Sequence, residues 1–193
     1  WNENCERERP MCMKVLYSGV INPTMITLTE YVGKAIKDSG YEAVFFNNRA
    51  YKIPGRLRQR VAWLESFDLA GINRALVASV RLNRPDLLLE TGGMRILPET
   101  IQKVRAMGVT TILWTIDPPR DLRDFLPIME AAPYYDFVFT GGTEAYEILK
   151  SIGLARISWL PFACDPDFHH PVPLTGKEAH EYGYDVVFVG SIH

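Results

Sequence analysis

"PDLLLETGGMRILPETIQKVRAMGVTTILWT", residues 85–115, decides the fold. Two short apolar runs, 85–90 and 110–115, enclose a helical segment at 98–107 and are joined to it by glycine-containing turns. Neither run alternates between apolar and polar residues, so each reads as a strand of a parallel sheet with helices on both faces. A strand–helix–strand unit of this length is a crossover between parallel strands.

The same rhythm extends in both directions. Strands are expected at 13–18 and 42–47 before the unit and at 135–140 and 156–161 after it, with helices at 121–131 and 143–152. After the first strand, Asn22 is placed to cap a helix with Pro23 in its first position, and Gly40 ends that helix. Met25, Leu28, Val32, Ala35 and Ile36 give it an apolar stripe. One long helical stretch, or two, separates 42–47 from 85–90, with Leu69, Ile72, Leu76 and Val80 sharing a face. The expected fold class is therefore α/β: a doubly wound parallel sheet of about six strands, with right-handed crossovers and the order 3-2-1-4-5-6.

Bulk properties narrow the function. The 193 residues suit one large domain, or one domain with the start of another, and 47% hydrophobic against 23% charged residues is ordinary for a chain with a packed core. A net charge of −2 gives no global field to hold a nucleic acid or an anionic membrane. Cys5, Cys12 and Cys164 match neither a zinc site nor a disulfide framework, which points to a reducing cytoplasm. No apolar stretch approaches the roughly 20 residues of a membrane helix, and no basic-then-apolar leader precedes Met13. Residues 1–12, with five charges and no periodicity, read as a disordered tail or expression remnant.

Ligands of open α/β sheets bind at the carboxyl ends of the strands. There the sequence offers Ser18 and Gly19, then Glu90, Thr91, Gly92 and Gly93, then Asp117 in "WTIDPP", then Thr140, Gly141, Gly142 and Thr143. Glycines let a ligand approach the backbone, and the following helices present free amides. Asp117 is placed to take a proton from a bound hydroxyl, or else to cap the next helix. Asn22 and Glu90 are further candidate contacts. "DPD" at 165–167, near His169 and His170, has the form of a metal-binding pair but lies in a proline-rich connection, so no metal is assigned. The basic run "KIPGRLRQR" (52–60) reads as a solvated helix face, with an anionic acceptor or lipid headgroup as the other reading. A Gly-x-Gly-x-x-Gly fingerprint, a Gly-x-Ser-x-Gly elbow and a Gly-Lys-Ser/Thr loop are all missing from the sequence.

The segments "PDLLLETGG", "TILWTIDPPRDL", "YDFVFTGGTEAYEILKSIG" and "ISWLPFACDPDFHHP", followed by "YDVVFVGSIH", together resemble the CgeB-like (spore maturation) glycosyltransferases of GT-B fold over residues 13–193. The resemblance implies a Rossmann-like acceptor-side domain at 13–171 that includes the start of an inter-domain linker, and the linker with the first strand of a donor-binding domain at 172–193. It implies transfer of a sugar from a nucleotide-sugar donor without a metal or other cofactor. Asp117 would be the base, the strand-end residues would shape the acceptor site, and Gly190 and Ser191 would contact the donor diphosphate. The acceptor, whether saccharide, protein or small molecule, is unassigned; no nucleic-acid partner and no transmembrane segment are expected. This chain alone is expected to be inactive, and its apolar run 185–189 to promote self-association. The alternative is a non-catalytic α/β ligand-binding or assembly module.

Overall fold

The computed structural model describes residues 13–58, 60–115 and 122–187. Asp117, Gly190 and Ser191 lie outside the described residues, as do residues 1–12.

The chain divides into two units, the first ending at Phe162 and the second beginning at Ala163, earlier than the expected boundary at 171. In the first unit strands and helices alternate: β1 (Lys14–Gly19), α1 (Leu28–Asp38), β2 (Glu42–Asn47), the short α2 (Gly55–Arg58), α3 (Ala62–Asn83), β3 (Leu87–Thr91), α4 (Pro98–Arg105), β4 (Thr110–Thr115), α5 (Leu122–Ala131), β5 (Phe137–Thr140), α6 (Thr143–Ser151) and β6 (Ile157–Trp159). All six strands are parallel, as expected.

Their order is β2-β1-β3-β4-β5-β6, which corrects the expected 3-2-1-4-5-6. The reason is visible in the strands. β2 begins with the exposed Glu42, ion-paired to Lys14 at 3.0 Å, and no residue along it is fully buried, as suits an edge strand. β1 and β3 are the more deeply buried and lie inside the sheet.

Right-handed crossovers then place α1 on one face and α3 to α6 on the other. The second face is the main core: Leu16, Leu88, Leu113 and Val138 of the strands meet Leu76 of α3, Val104 of α4, Ile128 of α5 and Leu149 of α6. Leu76 and Val80 are buried together with Ile72, so the apolar face expected along α3 is real. The first face is covered differently. Tyr17 is buried beneath α1, whereas Leu87, Leu89, Ile112, Trp114 and Phe139 are half-buried and Phe137 is exposed. Burial thus alternates along β3 to β5 although their sequences do not, and the expectation of cover on both faces holds only where α1 lies.

The start of α1 is a second correction. Thr27, not Asn22, is the cap: its side chain bonds the first-turn amides while Glu30 accepts the Thr27 amide at 2.6 Å, so two donors are satisfied reciprocally. Asn22 instead accepts from the Thr24 amide (2.9 Å) and hydroxyl (2.8 Å), closing a turn within the β1–α1 loop. Gly40, at φ +84°, follows the helix end as expected.

The second unit contains α7 (Gly176–Tyr182), whose Thr175 and Glu178 form another reciprocal cap. Residues 185–187, expected to begin a strand, form a bend with Val186 and Val187 exposed. A strand without a paired neighbour leaves its backbone groups unbonded and does not persist.

At the end of β3, Gly92 (φ +90°) and Gly93 (φ +80°) both lie where side chains are disfavoured. A Cβ at Gly92 meets open space, whereas one at Gly93 would lie 2.6 Å from Leu113 Cδ1. Gly92→Ala should therefore cost about 1–2 kcal/mol from the backbone alone, and Gly93→Ala clearly more because a core leucine must also move. Urea unfolding of the two variants tests the ranking; equal losses would contradict it.

Candidate functional site

From β1 the chain leaves to pair β2 on one side, and it later returns to pair β3 on the other. The loops after β1 and β3 therefore depart toward opposite faces of the sheet. A crevice opens between them at the carboxyl edge, the position where open α/β sheets bind ligands.

Glu90 lies at the bottom of this crevice. It is one residue from the end of β3, opposite Ser18 of β1, and fully buried. Its Oε1 accepts a 2.9 Å hydrogen bond from Asn48 Nδ2, which also donates to the Thr91 carbonyl at 3.2 Å. Asn48 directly follows β2, so one side chain ties the ends of β2 and β3 together across β1. Burial pushes the Glu90 carboxyl up to about 8 from an ordinary 4.5; Ser18, Asn48, Arg95 and the Gly93 amide draw it down without cancelling that effect. Glu90 is thus chiefly protonated at neutral pH and can donate as well as accept.

Ser18 Oγ stands near enough to bias the carboxyl without closing a hydrogen bond of good geometry. Along with Glu90 Oε2, Asn48 Oδ1, Thr115 Oγ1 and Thr140 Oγ1, it is buried with no hydrogen-bond partner. These five atoms belong to the carboxyl ends of β1 to β5. Buried polar atoms are ordinarily bonded, so their concentration on one edge marks it as built for a polar ligand or ordered water.

On the α1 side of the crevice is a cavity of about 70 Å³, lined among others by Tyr17, Thr29, Thr91, Gly92, Arg49 and Arg95. Tyr17 Oη and Thr91 Oγ1 are 3.0 Å apart, and Thr91 Oγ1 donates to the Ser18 carbonyl at 3.2 Å. Arg95 is held from two directions. Its Nε donates to Tyr51 Oη at 2.6 Å, and Asn73 of α3 donates to its carbonyl at 2.9 Å. Arg49 and Arg95 bring positive charge to the lining, and the Glu30 carboxylate, bonded to Thr27 of the same lining, brings a negative one close by.

The structure brings together some of the sequence candidates and separates others. Ser18, Gly19, Glu90, Thr91, Gly92 and Gly93 converge on the crevice. Around Gly19, however, the space is filled by the side chains of Tyr17, Thr29 and Thr91, so this glycine serves packing rather than ligand approach. Thr140 and Gly141 pair instead with the end of β4, Gly141 donating to the Thr115 carbonyl at 2.8 Å. Gly142 precedes α6, Thr143 is exposed on its first turn, and Asn22 stays in its loop turn. Near the suggested metal pair, Asp165 Oδ1 accepts the Asp167 amide at 3.0 Å, a local turn. Reading from sequence missed Tyr17, Asn48, Arg49, Asn73, Arg95 and Thr115. The signal for two of them was "NR", Asn48 and Arg49, directly after the second strand.

No protein-family model matches the chain, and no curated protein matches it.

The Glu90 proton has a measurable consequence. Between about pH 4.5 and 8 the native state holds this proton and the unfolded chain does not, so stability should fall with rising pH by up to about 1.4 kcal/mol per unit and level off above 8. Asp136 acts oppositely. Although burial would raise it, bonds from Thr111 and the Arg105 ion pair at 2.7 Å hold its carboxyl low, so its contribution is lost only in acid. Glu90→Gln keeps the bond from Asn48 but removes the titration. It should match the parent near pH 5 and become increasingly more stable than it toward pH 8 in urea unfolding, whereas parallel pH profiles would refute the assignment.

Proposed function

We propose that this chain is the acceptor-side domain of a metal-independent glycosyltransferase of the two-domain GT-B type, similar to the CgeB-like enzymes, acting on a nucleotide-sugar donor. The observation that carries this reading is the division at Phe162 and Ala163. It falls inside "ISWLPFACDPDFHHP", the segment that resembles the start of an inter-domain connection, although before the boundary expected at 171, and the first unit has its ligand-binding edge at the β1–β3 crevice.

In this reading the crevice holds the acceptor, and Arg49 and Arg95 take an anionic group of the bound substrate. Asp117, which follows β4, accepts the proton of the acceptor hydroxyl. The hydroxyl oxygen bonds to the anomeric carbon as the bond to the nucleoside diphosphate breaks, and the diphosphate leaves with the electron pair. Glu90 is a positioning residue: it is too deeply buried to touch the acceptor, and it orders Asn48 and the loop after β3. Gly190 and Ser191 belong to the donor side. A cytoplasmic setting is part of this reading and is supported by the cysteine usage; among the described residues no helix is long and apolar enough to cross a membrane.

Two measurements test the proposal. Calorimetric titration of this chain with uridine and guanosine diphosphate sugars should show nothing tighter than about millimolar, since most donor contacts lie on the other domain. Micromolar binding would sink the two-domain reading. In a chain that includes the donor-binding domain, Asp117→Asn should lower turnover about 10²- to 10⁴-fold with an unshifted melting temperature. Unchanged turnover would end the catalytic assignment, and no nucleoside diphosphate release from the parent would favour the non-catalytic binding module.

A further inference from the structure

The overall charge of −2 conceals a strong local asymmetry. Between residues 49 and 84 the chain carries eight basic and two acidic residues, so this segment has a net charge of +6 within an otherwise acidic protein. One of the two acids, Asp68, is buried and engaged: it accepts the Lys52 amide at 3.0 Å and the Ile53 amide at 3.1 Å and pairs with Arg58 at 3.6 Å. Those bonds fasten the α2 segment to the second turn of α3. Arg58 lies over the Tyr51 ring at 3.4 Å and is not available to a partner, but Lys52, Arg56 and Arg60 are exposed.

Helix α3 is unusual on its outer side. Ile72, Leu76 and Val80 face the core, so a surface helix should be polar opposite them. Instead Trp63 is 68% exposed and Phe67 59%, one turn apart. Continuing at helical spacing, Arg74 and Arg81 fall on the same outward line, with only small or aliphatic residues between, so the stripe runs for about 27 Å. No acidic residue of α3 interrupts it, since Glu65, two residues from Trp63, lies on the other side of the helix; Glu99 and Lys103 of α4 flank Arg74 and Arg81. Leu57 of α2, 53% exposed, adds an aliphatic side chain near the aromatic end. None of the salt bridges among the described residues engages Arg56, Arg60, Arg74 or Arg81.

The aromatic end also projects. Asn73 accepts the Leu97 amide at 2.9 Å and donates to the Arg95 carbonyl, which fixes the middle of α3 level with the loop after β3. Trp63, ten residues earlier, therefore overhangs the carboxyl edge of the sheet by about 15 Å.

We infer that the outer stripe of α2 and α3 docks on the surface of an anionic lipid bilayer, Trp63, Phe67 and Leu57 entering the headgroup boundary and the flanking arginines meeting lipid phosphates. Aromatic and aliphatic side chains bordered by Lys and Arg fit that interface, and the attraction of each basic group to anionic lipid is appreciable. Leu57 offers nothing to stack on bases, and single-stranded nucleic acid, on which Trp63 and Phe67 could stack, is set apart by the test below. A planar partner also meets only this face, so the acidic remainder of the protein does not oppose it. Contact is peripheral, because the opposite side of α3 is part of the core.

The test is co-sedimentation of the chain with vesicles of phosphatidylcholine alone and of phosphatidylcholine mixed with phosphatidylglycerol. Retention is expected on the mixed vesicles only, weakening as salt is raised. Arg74→Glu with Arg81→Glu should reduce it at least about tenfold, and Trp63→Ser with Phe67→Ser should abolish it; both pairs are exposed, and circular dichroism checks their folding. Brominated phosphatidylcholine in the mixed vesicles should quench tryptophan fluorescence in the parent, and Trp63→Phe should retain binding while losing most of that quenching. Equal retention on neutral and mixed vesicles, retention unaffected by either double variant, or binding of a single-stranded oligonucleotide without any vesicle retention would each overturn the inference. It does not rest on the proposed transferase activity.

Discussion

A β-strand has two edges, and in this molecule both edges of β1 are taken by the strands that matter most. β2 occupies one and β3 the other, so the connection from β2 to β3 must cross β1 on the face opposite α1. That crossing separates the loops after β1 and β3 and opens the crevice between them. It also determines the cover of the sheet. Every later crossover runs in the same direction as β2 to β3, so α3 to α6 accumulate on one face and α1 remains alone on the other. The thick core and the half-buried row of Leu89, Ile112 and Phe139 are two results of one topological choice.

Glu90 is the chemical expression of the same constraint. A residue near the end of a central strand, facing the thick core, has no water to solvate a charge, and nearby dipoles and Arg95 do not replace it. Staying protonated is the cheaper state, and Asn48 then reaches across β1 to bond the carboxyl. The stability lost by holding a neutral acid at pH 7 is retained in a place where it organises the loop carrying Thr91, Gly92 and Arg95. Arg95, a lining residue of the cavity, is held by Tyr51 at its side chain and by Asn73 at its main-chain carbonyl.

Much of the fold was legible from apolar runs and helical periodicity. The strands 42–47 and 110–115 were expected at the residues where they occur, and the core face of α3 was expected at Ile72, Leu76 and Val80. Strand order was not legible in that way, because periodicity records how buried a residue is and not which neighbour buries it. The available signal was compositional: Glu42 and Asn47 bound β2 with polar residues, as fits an edge. The misplaced order shifted attention to Asp117, since in 3-2-1-4 the switch point would adjoin β4. In the observed order it adjoins β3, and Glu90 stands there instead. Asn48, Asn73 and Arg95 were illegible for another reason: each acts across a separation of more than twenty residues, which no local motif encodes. The cap at Thr175 and Glu178 is the opposite case, a local motif present in "TGKE" and overlooked.

Charge shows the same limit of averages. A total of −2 gives no global field toward an anionic surface, yet charges act over about a Debye length, near 10 Å at moderate salt, and not over a whole molecule. The bilayer inferred above would meet only the outer stripe of α2 and α3. Because Asn73 fixes that helix level with the loop after β3, the aromatic end of the stripe stands on the same edge of the sheet as the crevice. A membrane touching Trp63 and Phe67 would therefore lie alongside the mouth of the crevice, not behind the sheet.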